Sequence, residues 1–456
     1  MSNQTKTEAD NSGAQAAPAP APAALQPAAP GPAPAAPGPQ SAVPQLATSF
    51  TPAPLSRGYK VFLIVYITLL QMFTMFSTDL YTPALPGMTV YFQTSESIVN
   101  LTLVVFFVFQ LLGMLVFGPV SDRYGRKPIL LIGASAYILT SLGCTLAQNI
   151  GVLIGFRALQ AFAVGAATSM ATALVKDCFI GRTRENVLVL VQAVFILGPI
   201  IAPVIGAQTL QFFSWRASFA ILVLLGMVVF VLTLFFRESL PISERLTGSF
   251  FASFRGLAVV AKNRDFMLFL LVTTIFVSLP FLAYLSVAAF IYESFFGLSA
   301  LEYSYYFAAA AGCSVVGLLL YKLIERRITI RALTTALLIG TVLCGLGMLL
   351  FGHSSAFVFF LMMMVYQAIE MMARPYSVNT LFDLQKDDTG SASSMMNCSY
   401  TVVGLIGVLP VVALAGDYIT SLAVLLLLGF AFSLVFWLVL QRRGRMNLSV
   451  TCTPPR

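Results

Sequence analysis

The sequence predicts an all-α membrane protein, twelve transmembrane helices arranged as two six-helix halves. Three observations carry this. The chain of 456 residues is 58% hydrophobic and 10% charged, against about 25% charged in a soluble domain. Apolar runs of about 20 residues, the length that crosses a bilayer core as a helix, recur along it. Lysine and arginine gather in every second connection between those runs, as expected of cytoplasmic loops.

The runs are 59–79, 98–119, 128–147, 151–175, 187–209, 216–236, 266–292, 303–324, 331–351, 355–380, 391–415 and 417–440. Each is read as a helix because lipid gives backbone groups no hydrogen-bond partner. With the amino terminus inside, Arg57, Lys60, Arg123, Arg126, Lys127, Lys176, Arg182 and Arg184 fall on the cytoplasmic side. So do the basic residues of 237–264 and 322–331, Lys386, and Arg442, Arg443 and Arg445, with Arg216 the exception. The net charge of +8 is therefore a topology signal, and nucleic acid is not expected as a partner. Both termini are expected in the cytoplasm and the protein in the cytoplasmic (inner) membrane.

Residues 1–55 are rich in Ala and Pro and carry no apolar period. They read as a disordered cytoplasmic tail, not as a cleavable signal peptide. Residues 56–236 form the first half, 237–265 a cytoplasmic central loop, 266–440 the second half and 441–456 a second tail. Within the central loop, 248–263 suits an amphipathic surface helix. The six cysteines show no CxxC pairing and His353 is the only histidine, so no metal, cofactor or disulfide is expected. Without a GxxxxGK[ST] loop or a nucleophile–base–acid set, neither an ATP-driven engine nor an enzyme is expected.

Four places carry candidate chemistry. "STDLYTPALP" (77–86) puts Asp79 at the end of the first run, followed by Pro83 and Pro86, which bend and end the helix. Asp79 is either a proton-exchanging carboxylate facing a cavity or a helix-end group with local backbone bonds. Arg157 lies inside the fourth run, where a cation costs at least ~2.5–3.5 kcal/mol and needs a polar interior and an anion; Asp79 is the expected partner. In "YQAIEMMARPY" (366–376), Glu370 and Arg374 stand i,i+4 and share a helix face, as a competing proton site or as a self-neutralised pair. The fifth run holds Gly198, Pro199, Pro203 and Gly206: the prolines open the helix and the glycines admit a neighbour. Tyr66, Phe73, Tyr81, Gln160, Phe281, Tyr284, Tyr366 and Tyr400 are candidates for a cavity taking bulky, sometimes cationic molecules, set against the commoner use of aromatics in packing.

"GPVSDRYGRKPILL" (118–131) resembles the G-x-x-x-D-R-x-G-R-K signature between helices two and three of the major facilitator superfamily, through Gly118, Asp122, Arg123, Gly125, Arg126 and Lys127. Gly118 and Gly125 are expected to allow the sharp turn, and Asp122 to pair with Arg126. "FRALQ" (156–160) resembles the R-x-x-Q pattern of drug/proton antiporters, and "LGPIIAPVIGA" (197–207) their helix-five motif. "ALVKDCF" (173–179), "SWRASF" (214–219) and "STDLYTPALP" resemble the Bcr/CflA-like branch. The resemblance implies a cytoplasmic latch at 118–127 and proton-driven export of small molecules, drugs first among them, by alternating access. Export of a natural metabolite, or a non-transporting membrane sensor with the same fold, are the alternatives. Small molecules, protons and membrane lipid are the expected partners, and the chain is expected to be a monomer.

Overall fold

The computed structural model describes residues 56–245, 255–385, 389–413 and 416–443. The predicted tail 1–55 and most of 441–456, Lys386, and residues 248–254 of the expected surface helix lie outside these. The helices are α1 (Arg57–Asp79), α2 (Leu85–Phe92), α3 (Glu96–Tyr124), α4 (Arg126–Thr145), α5 (Ile150–Cys178), α6 (Gly181–Phe212) and α7 (Arg216–Phe235). There follow α8 (Arg255–Ala261), α9 (Arg264–Ala289), α10 (Ala300–Ile324), α11 (Ile330–Phe351), α12 (Ala356–Leu384), α13 (Thr389–Ala413) and α14 (Tyr418–Arg443). A π-helical turn, Phe290–Phe295, prolongs α9.

Among the described residues eleven helices are long and apolar enough to cross a membrane. The remaining predicted run, the fifth (187–209), lies in the 32-residue α6, whose described apolar stretch is the shorter Leu197–Phe212. The expected break at Pro83 and Pro86 is real but differently made. α1 ends at Asp79, and the two prolines open the next short helices, Thr82–Ala84 and α2. That is where a missing N–H is harmless. Polar loop residues close other helix ends: Ser95 accepts from Ile98 N, Asn149 from Val152 N and Ser355 from Val358 N, each satisfying an orphan donor of the first turn.

The surface is inside out relative to a soluble protein. Leu139, Phe235 and Leu323 are 67%, 69% and 74% exposed, whereas Arg157, Gln160, Asn100 and Glu370 are buried. That is the arrangement a lipid solvent selects. Successive long helices run in opposite directions, so their ends form two faces: a basic end, with Arg57, Arg126, Lys176 and Lys322, and a far end, with Asp79, Glu96 and Glu302.

α1–α7 pack among themselves, as do α9–α14, with matching partners. α3 lies on α5 as α10 lies on α12; α1 lies on α6 as α9 lies on α13; α4 lies on α7 as α11 lies on α14. The halves meet where α6 touches α10 and α3 touches α13, contacts that a twofold would exchange. Four glycines make the close approaches. A Cβ at Gly113 would overlap the Phe162 carbonyl oxygen, and one at Gly317 that of Ala368. Likewise Gly206 abuts Leu80 and Gly407 abuts Leu279. These positions join α3 to α5, α10 to α12, α6 to the end of α1, and α13 to α9, so each half uses the same two glycine contacts. Among the described residues three side-chain hydrogen bonds cross between the halves, each at the far end. Ser97 Oγ donates to Val412 O (2.8 Å), Asn100 Nδ2 to Ser286 O (2.9 Å) and Tyr303 Oη to Thr82 Oγ1 (3.4 Å).

Gly317→Ala should destabilise the protein by about 1–3 kcal/mol, the usual cost of overpacking, and lower its melting temperature in detergent. Gly312→Ala, on the same helix but with nothing within 4 Å of its would-be Cβ, should leave that temperature unchanged.

Candidate functional site

At the basic end, α3 stops at Tyr124 and α4 starts at Arg126, so the whole turn is Gly125. Its φ of 102° lies in the region that favours glycine. Gly118 does not turn the chain, against expectation. It lies within α3, one residue before Pro119, because the helix continues nearly two turns beyond it. Arg126 Nη1 pairs with Asp122 Oδ1 at 2.6 Å, as expected, and donates to Ser121 Oγ at 2.5 Å. Its Nε also pairs with Asp177 Oδ2 of α5 at 3.0 Å. Arg126 is buried, so these charge-assisted bonds are the strong kind. Arg123 lies over the Tyr124 ring, 5.6 Å from its centroid.

Sequence reasoning missed two parts of this latch. Asp177 stood in the quoted "ALVKDCF" but had no role. Glu238, just beyond α7, accepts from the backbone N–H of Arg126 (2.8 Å) and Lys127 (3.1 Å). It thereby caps α4, which has no side-chain cap of its own. Lys127 Nζ donates to Leu234 O.

Arg157 is fully buried, and its expected pairing with Asp79 does not occur. Nη1 donates to Ser77 O (3.0 Å) and Gln160 Oε1 (2.6 Å), and Gln160 Nε2 passes on to Ser141 Oγ (2.6 Å). The guanidinium carbon lies 4.2 Å from the Tyr81 ring centroid and 4.1 Å from that of Phe106. Stacking on desolvated rings is worth about 2 kcal/mol or more. Helix geometry explains the missing pair. The Ser77 hydroxyl faces α4, bonded to Tyr137 Oη at 2.6 Å. Asp79 stands two residues on, about 200° around the helix, on the side of Tyr303 in α10. Asp79 is buried, and among the described residues no lysine or arginine pairs with it.

In the second half Glu370 Oε1 meets Arg374 Nε at 2.5 Å. Tyr400 of α13 donates to the same oxygen (3.0 Å) and accepts from Arg374 Nη2. Phe281 lies near the pair, its ring centroid 5.9 Å from the guanidinium carbon.

The predicted cavity residues therefore divide. Phe281 and Tyr400 cluster on the Glu370 pair, and Tyr81 and Gln160 on Arg157. Tyr366 is fixed to α9 through Val277 O (2.6 Å). Tyr66 shares a hydrogen bond with Thr233 (2.7 Å) and stacks on Phe236, and Phe73 packs 4.3 Å from the Tyr137 ring. Tyr284 packs between Phe307 and Phe359. Tyr66, Phe73 and Tyr284 are thus held in helix packing. In α6, Gly198 faces the Met75 side chain and Gly206 the Leu80 carbonyl, while Pro199 and Pro203 stay within one continuous helix.

A bundle of two matching halves, apolar outside and charged within, is the build of a multi-pass membrane transporter. The sequence profile of the Major Facilitator Superfamily matches residues 67–408, and the chain belongs to that family, which is one of transporters rather than enzymes. The "Uncharacterized MFS-type transporter YdgK" of Bacillus subtilis is 29% identical over 72% of this chain and 83% of its own length. The "Chloramphenicol resistance protein" of Pseudomonas aeruginosa is 35% identical over 38% of this chain, and the match spans 42% of that protein. The "Multidrug resistance protein MdtL" of Escherichia coli is 29% identical over 52% of this chain and 60% of its own length. The fold is shared with a peptide transporter solved in complex with sulfate (TM-score 0.69, 12% identity, 84% of this chain and 95% of that one). It is also shared with the xylose transporter XylE from E. coli (TM-score 0.64, 13% identity, 83% and 97%).

Asp177→Asn should reduce transport about as much as Asp122→Asn, because each removes one of two carboxylates on a single buried guanidinium. A charged hydrogen bond of ~1.5–3 kcal/mol corresponds to a loss of roughly tenfold or more if the latch stabilises one transport state. Initial rates in vesicles, normalised to protein in the membrane, read this; a parental rate for Asp177→Asn would leave Asp122 as the latch's only working acid.

Proposed function

We propose that the protein exports small organic molecules, drugs among them, from the cytoplasm in exchange for protons, and that it lies in the cytoplasmic (inner) membrane with both termini in the cytoplasm. The observation that carries this reading is Asp79: a carboxylate buried in a membrane bundle with no lysine or arginine beside it, in a chain whose relatives include proteins named for drug resistance. Such a residue within a span is a functional group by default. Glu370 is buried too, but Arg374 and Tyr400 already answer its charge, which leaves Asp79 freer to take up and give back a proton.

The geometry supports alternating access as follows. The far ends of the halves are joined by Ser97, Asn100 and Tyr303, which fits a state closed to the outside. The latch around Arg126 is held together by residues of the first half and by Glu238 of the central loop, with no partner from the second half among the described residues, and sits at the end where the route to the cytoplasm would open. Rocking the halves breaks the far-end bonds and offers Asp79 to the outside. A proton taken up there neutralises it, and substrate arriving from the cytoplasm displaces that proton. The aromatic and amide surfaces near Glu370 and Arg157 are suited to bulky, apolar or cationic cargo.

Expression in a drug-sensitive host should raise tolerance to some members of a drug panel, and each such drug should dissipate a pH gradient in everted vesicles. Asp79→Asn keeps the size of the side chain but carries no exchangeable proton, and should abolish the gradient-driven uphill export while downhill exchange survives. Uphill export at the parental level in Asp79→Asn would remove Asp79 from the mechanism.

A further inference from the structure

The π-helical turn Phe290–Phe295 holds a carboxylate that the mechanism above does not use. Oε1 of Glu293 is sealed from solvent and makes no hydrogen bond, and among the described residues no lysine or arginine pairs with Glu293. An unanswered buried acceptor calls for an explanation, and π turns inside helices are often found at functional sites. The turn also lies on the seam between the halves. It packs against α2 of the first half, and its Phe290 and Phe295 line a crevice with Glu96 of α3.

The groups around Glu293 are neutral or acidic. Tyr292 is packed by Tyr303 and Tyr306 of α10, with ring centroids 5.9 and 5.3 Å away, and by Phe359. Tyr303 Oη donates to Thr82 Oγ1 of the first half, and the buried hydroxyls of Tyr284 and Tyr292 have no hydrogen-bond partner among the described residues. His353 lies edge-on to Phe295 in the same half, with its Nε2 2.9 Å from Asp417 Oδ1.

We propose that Glu293 is a second proton-binding site, which must be protonated for the far ends of the two halves to close. When the ends part, the turn loses its cover from α2 and the carboxylate meets water as an anion. When they close, Glu293 is half-buried with its Oε1 sealed from solvent and unpartnered, which disfavours the anion, whereas the protonated acid is tolerated. Proton binding from the far side therefore favours closure. The linkage is specific: the closed state holds one more proton than the open one, so the closing equilibrium gains at most tenfold per unit fall in pH. The proposal rests on the alternating-access reading but not on Asp79 being the coupling group.

The test uses the full chain with its native cysteines replaced and spin labels at positions 90 and 354, one in each half at the far end. Distances between the labels are measured in lipid nanodiscs from pH 9 to pH 5. In the parent the closed fraction should rise as pH falls. In Glu293→Gln the closed fraction at pH 9 should exceed the parent's and the response should be shallower, by up to tenfold in the closing equilibrium per pH unit, whereas Glu293→Asp should keep the parental response. A parental profile in Glu293→Gln, or no response to pH in the parent, overturns the proposal. If the response is lost in Asp79→Asn and kept in Glu293→Gln, Glu293 is excluded while the role of Asp79 stands.

Discussion

A cation removed from water has to be answered, and the first half of this protein is assembled around one that no anion answers. Arg157 takes the Ser77 carbonyl from α1, Gln160 from its own helix and, through it, Ser141 from α4. The ring of Tyr81 comes from just after α1, and those of Phe106 and Phe219 from within α3 and α7. One side chain thus ties together most of the half. The guanidinium hydrogen-bonds through Nη1 alone; its buried Nε and Nη2 have no hydrogen-bond partner, and the ring faces stacked on it are what answers the rest of its charge without consuming a carboxylate. Asp79, on the opposite side of α1, is left without an ion-pair partner. The second half solves the same problem by local neutralisation, with Glu370 and Arg374 one turn apart and Tyr400 bridging them. The halves match in packing but not in electrostatics, and the proposed proton exchange at Asp79 rests on this asymmetry.

The packing match rests on backbone proximity. Gly113 and Gly317, and again Gly206 and Gly407, bring equivalent helix pairs to within reach of a carbonyl oxygen. In lipid, where apolar side chains gain nothing by leaving the solvent, such close contact is a main source of helix association. Rigid helix pairs can then move as bodies. In the proposed transport cycle the contacts that change are the three hydrogen bonds at the far end and the basic-end turn where Glu238 and Asp177 hold Arg126.

Most of the fold was legible in the sequence. Apolar run length places the spans within a few residues, because the bilayer thickness fixes it. The Asp122–Arg126 and Glu370–Arg374 pairs were legible because both are i,i+4 contacts, set by helix geometry alone. Contacts across helices were not. The pairing of Arg157 with Asp79 failed on a rotation of about 200° that span boundaries do not fix. Asp177, Glu238, Gly113, Gly317 and Gly407 went unassigned because their partners are distant in sequence. Tyr66, Phe73 and Tyr284 turned out to be packing residues, since an aromatic near mid-span has the same pattern whether it faces a cavity or a neighbouring helix. Gly118 was misread because a glycine near a turn gives no sign of whether the helix has already ended.

The asymmetry between the halves is tested most directly by proton release when substrate is added to the purified protein in weakly buffered detergent solution. Release should occur in the parent, persist in Glu370→Gln and vanish in Asp79→Asn. Release that persists in Asp79→Asn and vanishes in Glu370→Gln would contradict the account and place the exchangeable proton in the second half.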